Sequence, residues 1–463
     1  MRTAAFLYPW DVVGDPDAAG RLAGLGIQQV TLASAYHSTR ALTPRHPRHR
    51  IVTARHAAVL YPPDPARWAG RELRPNTQDW VSDPDPFGAA ARALADAGLE
   101  VHTWVVLAHN SRLGAEHPAT VVRNAYGDPY PWAPCIARPE VRDYLVDLAA
   151  EAAVRPGARG TELESCGWYG LAHLHAHDKI AGVPLSGAAQ YLMSVCFCTV
   201  CAEGYAELGV PARQLRAAVV RALEPLWASG GAGPAMGVAP GPEPVEGPRG
   251  REGEWAAVEA LLGTELAGVL RTWRDRAART LQRAAVRAVR DAAADGFRVL
   301  LHADPAAHRC GANAGVDPAD VLAHADGVVL PCTGGAAARA QVLAPFAGRT
   351  AEPACAAETA VVARTGSAAE PSTAAETSAA AETSAAASAA SAAEATVLAA
   401  NFTVVSGMGG SPGTLAADAA HAASLGAGEL RLYHAGLASE SDLAAVRDAL
   451  RKIGDNSGKQ PTY

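Results

Sequence analysis

The sequence has no apolar run approaching the roughly 20 residues needed to cross a bilayer, so no membrane partner is expected. It also lacks a charged opening followed by a long apolar stretch. "MRTAAFLYPWDVVGD" reads instead as a first strand ending in Tyr8, Pro9 and Trp10, not as a secretory leader. A surplus of positive charge is missing too: the formal net charge is −7, which argues against nucleic acid or an anionic surface as the main partner. No G-x-G-x-x-G turn follows the first strand, which weakens the case for an open, doubly wound dinucleotide-binding sheet. These absences predict a soluble, cytoplasmic protein, in a compartment where clustered cysteines more often bind metal than form disulfides. Charged residues are sparse at 19% against 49% hydrophobic, so a sizeable core is expected and global disorder is not.

What is present is a repeated local pattern. An Ala/Leu-rich helix closes on glycine and a short apolar strand follows, as in "RLAGLGIQQVTLAS", "ALADAGLEVHTWVVLAHN", "RDAAADGFRVLLHADP" and "AHAASLGAGELRLYHAG". Glycine accepts the left-handed conformation just past a helix end, and near-continuous Val/Leu runs suit parallel strands covered by helices. Strands are predicted at residues 3–8, 27–33, 101–107, 160–165, 297–303, 326–331, 396–403 and 429–433. Eight of them predict a closed (β/α)₈ barrel, formed by residues 1–463 as a single domain. Two segments break the pattern: a Gly/Pro-rich insertion at 228–254, ahead of a long helix at 255–294, and a low-complexity Ala/Ser/Glu/Thr insertion at 357–396. The second lacks the large apolar residues that packing requires.

"SVCFCTVCAEGY" places Cys196, Cys198 and Cys201 within six residues. C-x-C-x-x-C offers three thiolates on one turn, and structural zinc takes four ligands; Cys135 and Cys166 are the candidates for the fourth. "PWAPCIARPEVRDYLVDLAAEAA" followed by "CFCTVCAEGY" resembles the β-galactosidases of glycoside hydrolase family 42, over about residues 100–205. The resemblance implies a structural zinc on Cys135, Cys196, Cys198 and Cys201, between the loops after strands 3 and 4.

In such barrels the chemistry sits on the loops after the strand C-termini. In "GTELESCGWYG", Glu162 and Glu164 alternate with Thr161 and Leu163, so both acids face one way, into the barrel. The resemblance implies a general acid at the end of strand 4, hence Glu164 by strand position, although the family's Asn-Glu is replaced by Leu163-Glu164. The family's nucleophile ends strand 7, where this sequence has Asn401. Asp304, ending strand 5 beside His302, is the substitute; its Asp-Pro context equally suits a helix N-cap. Glu162 is a further catalytic candidate, and Tyr36, His37, His109, Asn110, Trp168, Tyr169, His173, His175, His302, Tyr433 and His434 surround the expected mouth as substrate-binding candidates. They suit a small neutral carbohydrate. The expected reaction is cleavage of a glycosidic bond by two carboxylates. Two alternatives stay open: a sugar-binding barrel that has lost its nucleophile, and a metal-dependent hydrolase or isomerase using the loop from His173 to Asp178.

Overall fold

The computed structural model describes residues 1–171, 179–183, 185–228, 248–347 and 396–457. Eight parallel strands close on themselves: β1 (Arg2–Leu7), β2 (Gln29–Tyr36), β3 (Glu100–Val106), β4 (Ala158–Glu164), β5 (Arg298–Asp304), β6 (Gly327–Pro331), β7 (Val397–Thr403) and β8 (Glu429–Tyr433). Each pairs with its successor, and β8 returns to β1 with Arg2 opposite Glu429 and Ala5 opposite Leu432. This is the expected (β/α)₈ barrel. The helices of the outer ring are α1 (Ala18–Ala23), α2 (Pro86–Asp96), α3 (Pro139–Ala153), α4 (Thr264–Ala292), α5 (Pro318–Leu322), α6 (Ala336–Ala347), α7 (Leu415–Ser424) and α8 (Glu440–Ser457).

Local signals explain the ring. Helix α3 opens with Pro139, whose missing N–H costs nothing at the first helical position, and buries Val141, Tyr144, Leu145, Leu148 and Ala152 at helical spacing. The Asp85 side chain caps α2 by accepting from Gly88 N at 2.9 Å. The helix expected at 255–294 is two helices, Pro248–Leu262 and α4, broken at Gly263. That residue has φ +81°, a conformation that glycine adopts without steric cost. Helix therefore begins inside the segment read as insertion, of which 229–247 lie outside the described residues, as do 357–395 of the second insertion. Two antiparallel hairpins went unforeseen: Thr39–Leu42 with Ile51–Ala54 after β2, and Val121–Arg123 with Pro129–Pro134 after β3.

The barrel interior is stratified. Leu300, Val329 and Ala399 form a small apolar layer. Beside it runs a buried chain of charge: Arg298 contacts Glu429 at 3.1 Å, Glu429 contacts Arg431, and Arg431 reaches Glu162 at 2.7 Å. Nearer the mouth, Phe6, Tyr8, Tyr36 and Trp104 close the interior with aromatic rings. Gly160 on β4 has no room for a side chain, because the His102 ring occupies the position a Cβ would take.

Candidate active site and cysteine cluster

Strand β4 carries both interior carboxylates, and they stand in different surroundings. Glu162 is fully buried. Its Oε1 accepts from Arg431 Nε at 2.7 Å and from Thr31 Oγ1 at 3.2 Å. Burial opposes its ionisation, but Arg431 and the neighbouring His302 outweigh that and hold its pKa down to about 2. It is a permanent anion inside the barrel.

Glu164 lies one layer higher, at the strand's C-terminal end, and is 2% exposed. Its Oε2 accepts from the Trp104 indole N–H at 2.9 Å and from the Tyr433 hydroxyl at 3.1 Å. A buried indole or phenol normally finds such a partner. His302, on β5, sits between the two acids: Nε2 lies 3.6 Å from Glu162 Oε2 and Nδ1 3.7 Å from Glu164 Oε2. The backbone turns sharply after both mouth residues, with Ser165 at φ 55° and His434 at φ 60°. These are the two described non-glycine residues with left-handed backbone, and such strain tends to gather at functional sites.

A continuous wall of rings leads away from Glu164. Tyr36 meets Trp104 at 4.7 Å, His37 stacks on Tyr36 at 4.2 Å, His109 meets His37 at 4.9 Å, and Tyr169 stacks on His109 at 4.4 Å. On the other side the Tyr8 hydroxyl bonds to Tyr36 Oη at 2.9 Å and to His434 Nδ1 at 3.0 Å. Burial raises the Tyr8 and Tyr36 phenols well above their ordinary range. It lowers His37, and takes His434 down to about 3. Burial thus favours the neutral forms of Tyr8, Tyr36, His37 and His434 at the mouth.

The remaining sequence candidates divide. Asp304 is buried on the same face of β5 as His302, and its Oδ1 accepts from Ala306 N at 2.9 Å. Asn401, on β7, is 7% exposed and its Oδ1 has no hydrogen-bond partner among the described residues. Asn110 caps the short helix Ser111–Glu116 by accepting from Leu113 N at 2.9 Å. Trp168 turns toward α4: its indole N–H donates to Arg274 O at 2.9 Å, and the Arg274 guanidinium lies 4.5 Å from the ring centre. His173, His175, His177 and Asp178 lie outside the described residues. Trp104, Tyr8 and Arg431 went unmarked in the sequence; a tryptophan at an inward position of a predicted strand was the available signal for Trp104.

The cysteines converge. Cys135, Cys196, Cys198 and Cys201 are all buried, with sulfurs within 4.8 Å of one another. Cys135 Sγ lies 3.7 Å from both Cys198 Sγ and Cys201 Sγ. Four thiolates about 2.3 Å from a tetrahedral zinc would be spaced about 3.8 Å apart, so the cluster fits a four-coordinate ion. Cys198 N donates to Cys196 Sγ at 3.5 Å, and Cys198 caps the helix Thr199–Glu207. Hydrogen bonds from the other three thiols push the Cys198 thiol well below its usual range. Cys166 lies apart, its thiol pushed up to about 12 by burial. The cluster joins the connection after β3 to the one after β4. Those connections also meet where Phe197 N bonds to Arg123 O at 2.7 Å, Tyr130 Oη to Met193 O at 2.8 Å and Trp132 Nε1 to Gly170 O at 2.7 Å.

Barrel closure defines a (β/α)₈ protein with a buried carboxylate at the C-terminal end of β4. No known family profile matches the chain, and no curated protein matches it in sequence. Among solved structures it is similar to an α-L-fucosidase isoenzyme 2 from Paenibacillus thiaminolyticus, at 13% identity and TM-score 0.49 over 99% of this chain and 50% of that one. It is also similar to a β-galactosidase from Rahnella sp. R3, at 10% identity and TM-score 0.49 over 98% and 56%. A third is the PgaB (BpsB) glycoside hydrolase domain from Bordetella bronchiseptica, at 13% identity and TM-score 0.44 over 97% and 98%. The chain thus spans about half the length of the first two.

Proposed function

We propose that this barrel is a glycoside hydrolase acting on a small carbohydrate, with Glu164 as its general acid. The observation that carries the reading is the setting of Glu164: a buried carboxyl at the C-terminal end of β4, its Oε2 held by Trp104 and Tyr433, beside a wall of tyrosine and histidine rings. Two donors on Oε2 fix the carboxyl plane and steer the transferable proton to Oε1, from which it passes to the leaving glycosidic oxygen. Asp304 supplies the second carboxylate, as nucleophile or as the base that activates water. Tyr36, His37, His109 and Tyr169 form the sugar-facing wall. Glu162 stays ionised, and its role is to anchor Arg431 and His302 beneath the site.

Zinc is the ion assigned to Cys135, Cys196, Cys198 and Cys201. A closed four-thiolate site has no open position, so the metal would tie two mouth connections together and take no part in catalysis. Purified protein should contain about one zinc per chain, and Cys198→Ser should lose it together with several kcal/mol of stability. Metal-free protein of full stability would remove the assignment.

The catalytic reading is tested with aryl glycosides of graded leaving-group pKa. Glu164→Gln should abolish turnover of those with poor leaving groups and spare activated ones more, because only the former need a proton. A second reading, a sugar-binding barrel without turnover, draws on Asn401, an amide at the β7 position where the resembled family has its nucleophile. Wild-type protein that binds sugars yet cleaves no aryl glycoside would favour it.

A further inference from the structure

Away from the mouth, a cavity of about 360 Å³ lies outside the barrel wall, between α1, α8 and the loop that joins strands Thr39–Leu42 and Ile51–Ala54. Its size falls in the range of small-molecule sites, roughly 300–1,000 Å³. Leu22 and Leu25 from the α1 side and Leu443 from α8 give it an apolar floor, and Arg21, Arg45, Arg447 and Arg451 stand around it.

The arginines are unevenly matched. Arg21 is paired with Asp15. Arg45 is half-buried, and its guanidinium donates to three backbone carbonyls, those of Ala438, Ala435 at 3.2 Å and Gly436 at 3.0 Å. No carboxylate forms an ion pair with it among the described residues. Burial lowers its pKa, with Asp11, Glu440 and Asp15 opposing from a distance. Arg447 is half-buried and has no ion pair or hydrogen bond among the described residues. Arg451 makes an exposed contact with Asp448 at 3.6 Å, its one ion pair among the described residues. The acids in the wall are Asp11, Asp15 and Glu440. Asp15 is used by Arg21, Glu440 is exposed, and the pKa of Asp11 is raised to about 7 by burial, so that it carries only part of a charge. Its Oδ2 accepts from Tyr8 N at 2.9 Å, and its Oδ1 has no partner among the described residues.

A guanidinium removed from water without a carboxylate is costly, and its planar fork matches an oxyanion in two parallel hydrogen bonds. We propose that this cavity is a binding site for a small organic anion, with its phosphate or carboxylate on Arg447 and Arg45 and its apolar body over Leu22, Leu25 and Leu443. The site is separate from the mouth, and the proposal does not depend on hydrolase activity.

Calorimetric titration of the full chain at fixed ionic strength tests it, with phenyl phosphate, benzoate, inorganic phosphate and benzyl alcohol as probes. One molecule of phenyl phosphate or benzoate should bind per chain, and whichever binds more tightly names the oxyanion. Arg447→Gln should weaken that binding at least tenfold, and the more exposed Arg451→Gln, which leaves the packed helix face untouched, should weaken it less. Benzyl alcohol should not bind, and inorganic phosphate should bind more weakly than phenyl phosphate. The proposal is overturned if neither aryl anion binds, if Arg447→Gln binds them as tightly as wild type, or if the neutral alcohol binds as well.

Discussion

Glu162 and Glu164 are two residues apart, on one face of one strand, and the barrel treats them oppositely. Glu162 is locked by an arginine from the far side of the interior, with its pKa held at about 2. Glu164 accepts an indole N–H and a phenol O–H, with the His302 ring 3.7 Å away. Two residues along one strand separate a carboxylate locked into a buried ion pair from the one we propose as the general acid. Layered side chains in a closed barrel make this possible, because successive inward positions of β4 face successive inward positions of β8, Arg431 below and Tyr433 above.

The largest expected effect comes from breaking the lower partner. Glu162→Ala leaves the buried Arg431 with Glu429 as its remaining carboxylate, and should cost about 3 kcal/mol of folding stability, the low end for removal of one half of a buried ion pair. Chemical denaturation measures it. The same pair sets an acid limit. The folded pKa of Glu162 is depressed from 4.5 to about 2, so its stabilisation is complete above pH 4.5 and is lost as the pH falls toward 2. An unchanged denaturation midpoint in Glu162→Ala would erase the contrast between the two acids.

His434 sharpens the comparison on the mouth side. Its folded pKa is lowered from 6.5 to about 3 by burial, so the unfolded chain takes up the proton first. Stability should therefore fall as the pH drops from about 6.5 toward 3, a range that begins well above the Glu162 limit. His434→Asn, which tolerates the left-handed backbone, should flatten that part of the stability curve. An unaltered slope would mean that the ring is not held neutral by the mouth.

A smaller effect is expected from Trp104→Phe, which removes one donor from Glu164 while keeping an aromatic ring beside Phe6. Loss of one such hydrogen bond is worth about 1–2 kcal/mol, or roughly tenfold in kcat, with little change in KM. A KM change alone would make Trp104 a sugar contact and not a support for the acid.

The barrel was legible because several helices are followed within a few residues by a left-handed glycine, Gly26, Gly98, Gly296 and Gly426 among them, and the strands are short and apolar. The last strand falls at 429–433 as expected, and the other strand bounds differ by up to three residues. The hairpin after β2 was hidden by "RHPRHR", whose proline and charges read as loop, and the pairing it interrupts is exposed on alternate residues. The shared face of Glu162 and Glu164 followed from strand alternation. What distinguishes them did not, because Arg431 and Tyr433 reach them from 269 residues away, across the closed barrel. Trp168 shows the converse: its position after β4 suggested a place at the sugar-binding mouth, but Arg274 of α4, more than a hundred residues later, covers its ring. Contacts across the barrel carry no local pattern.

The most direct test of the division between the two glutamates is a paired measurement on Glu162→Gln and Glu164→Gln, scoring the melting temperature and the turnover of an aryl glycoside with a poor leaving group. The account predicts that Glu164→Gln melts close to wild type and loses turnover, while Glu162→Gln melts several degrees lower and its folded fraction still turns over. Turnover retained in Glu164→Gln, or a melting temperature unchanged in Glu162→Gln, would contradict it.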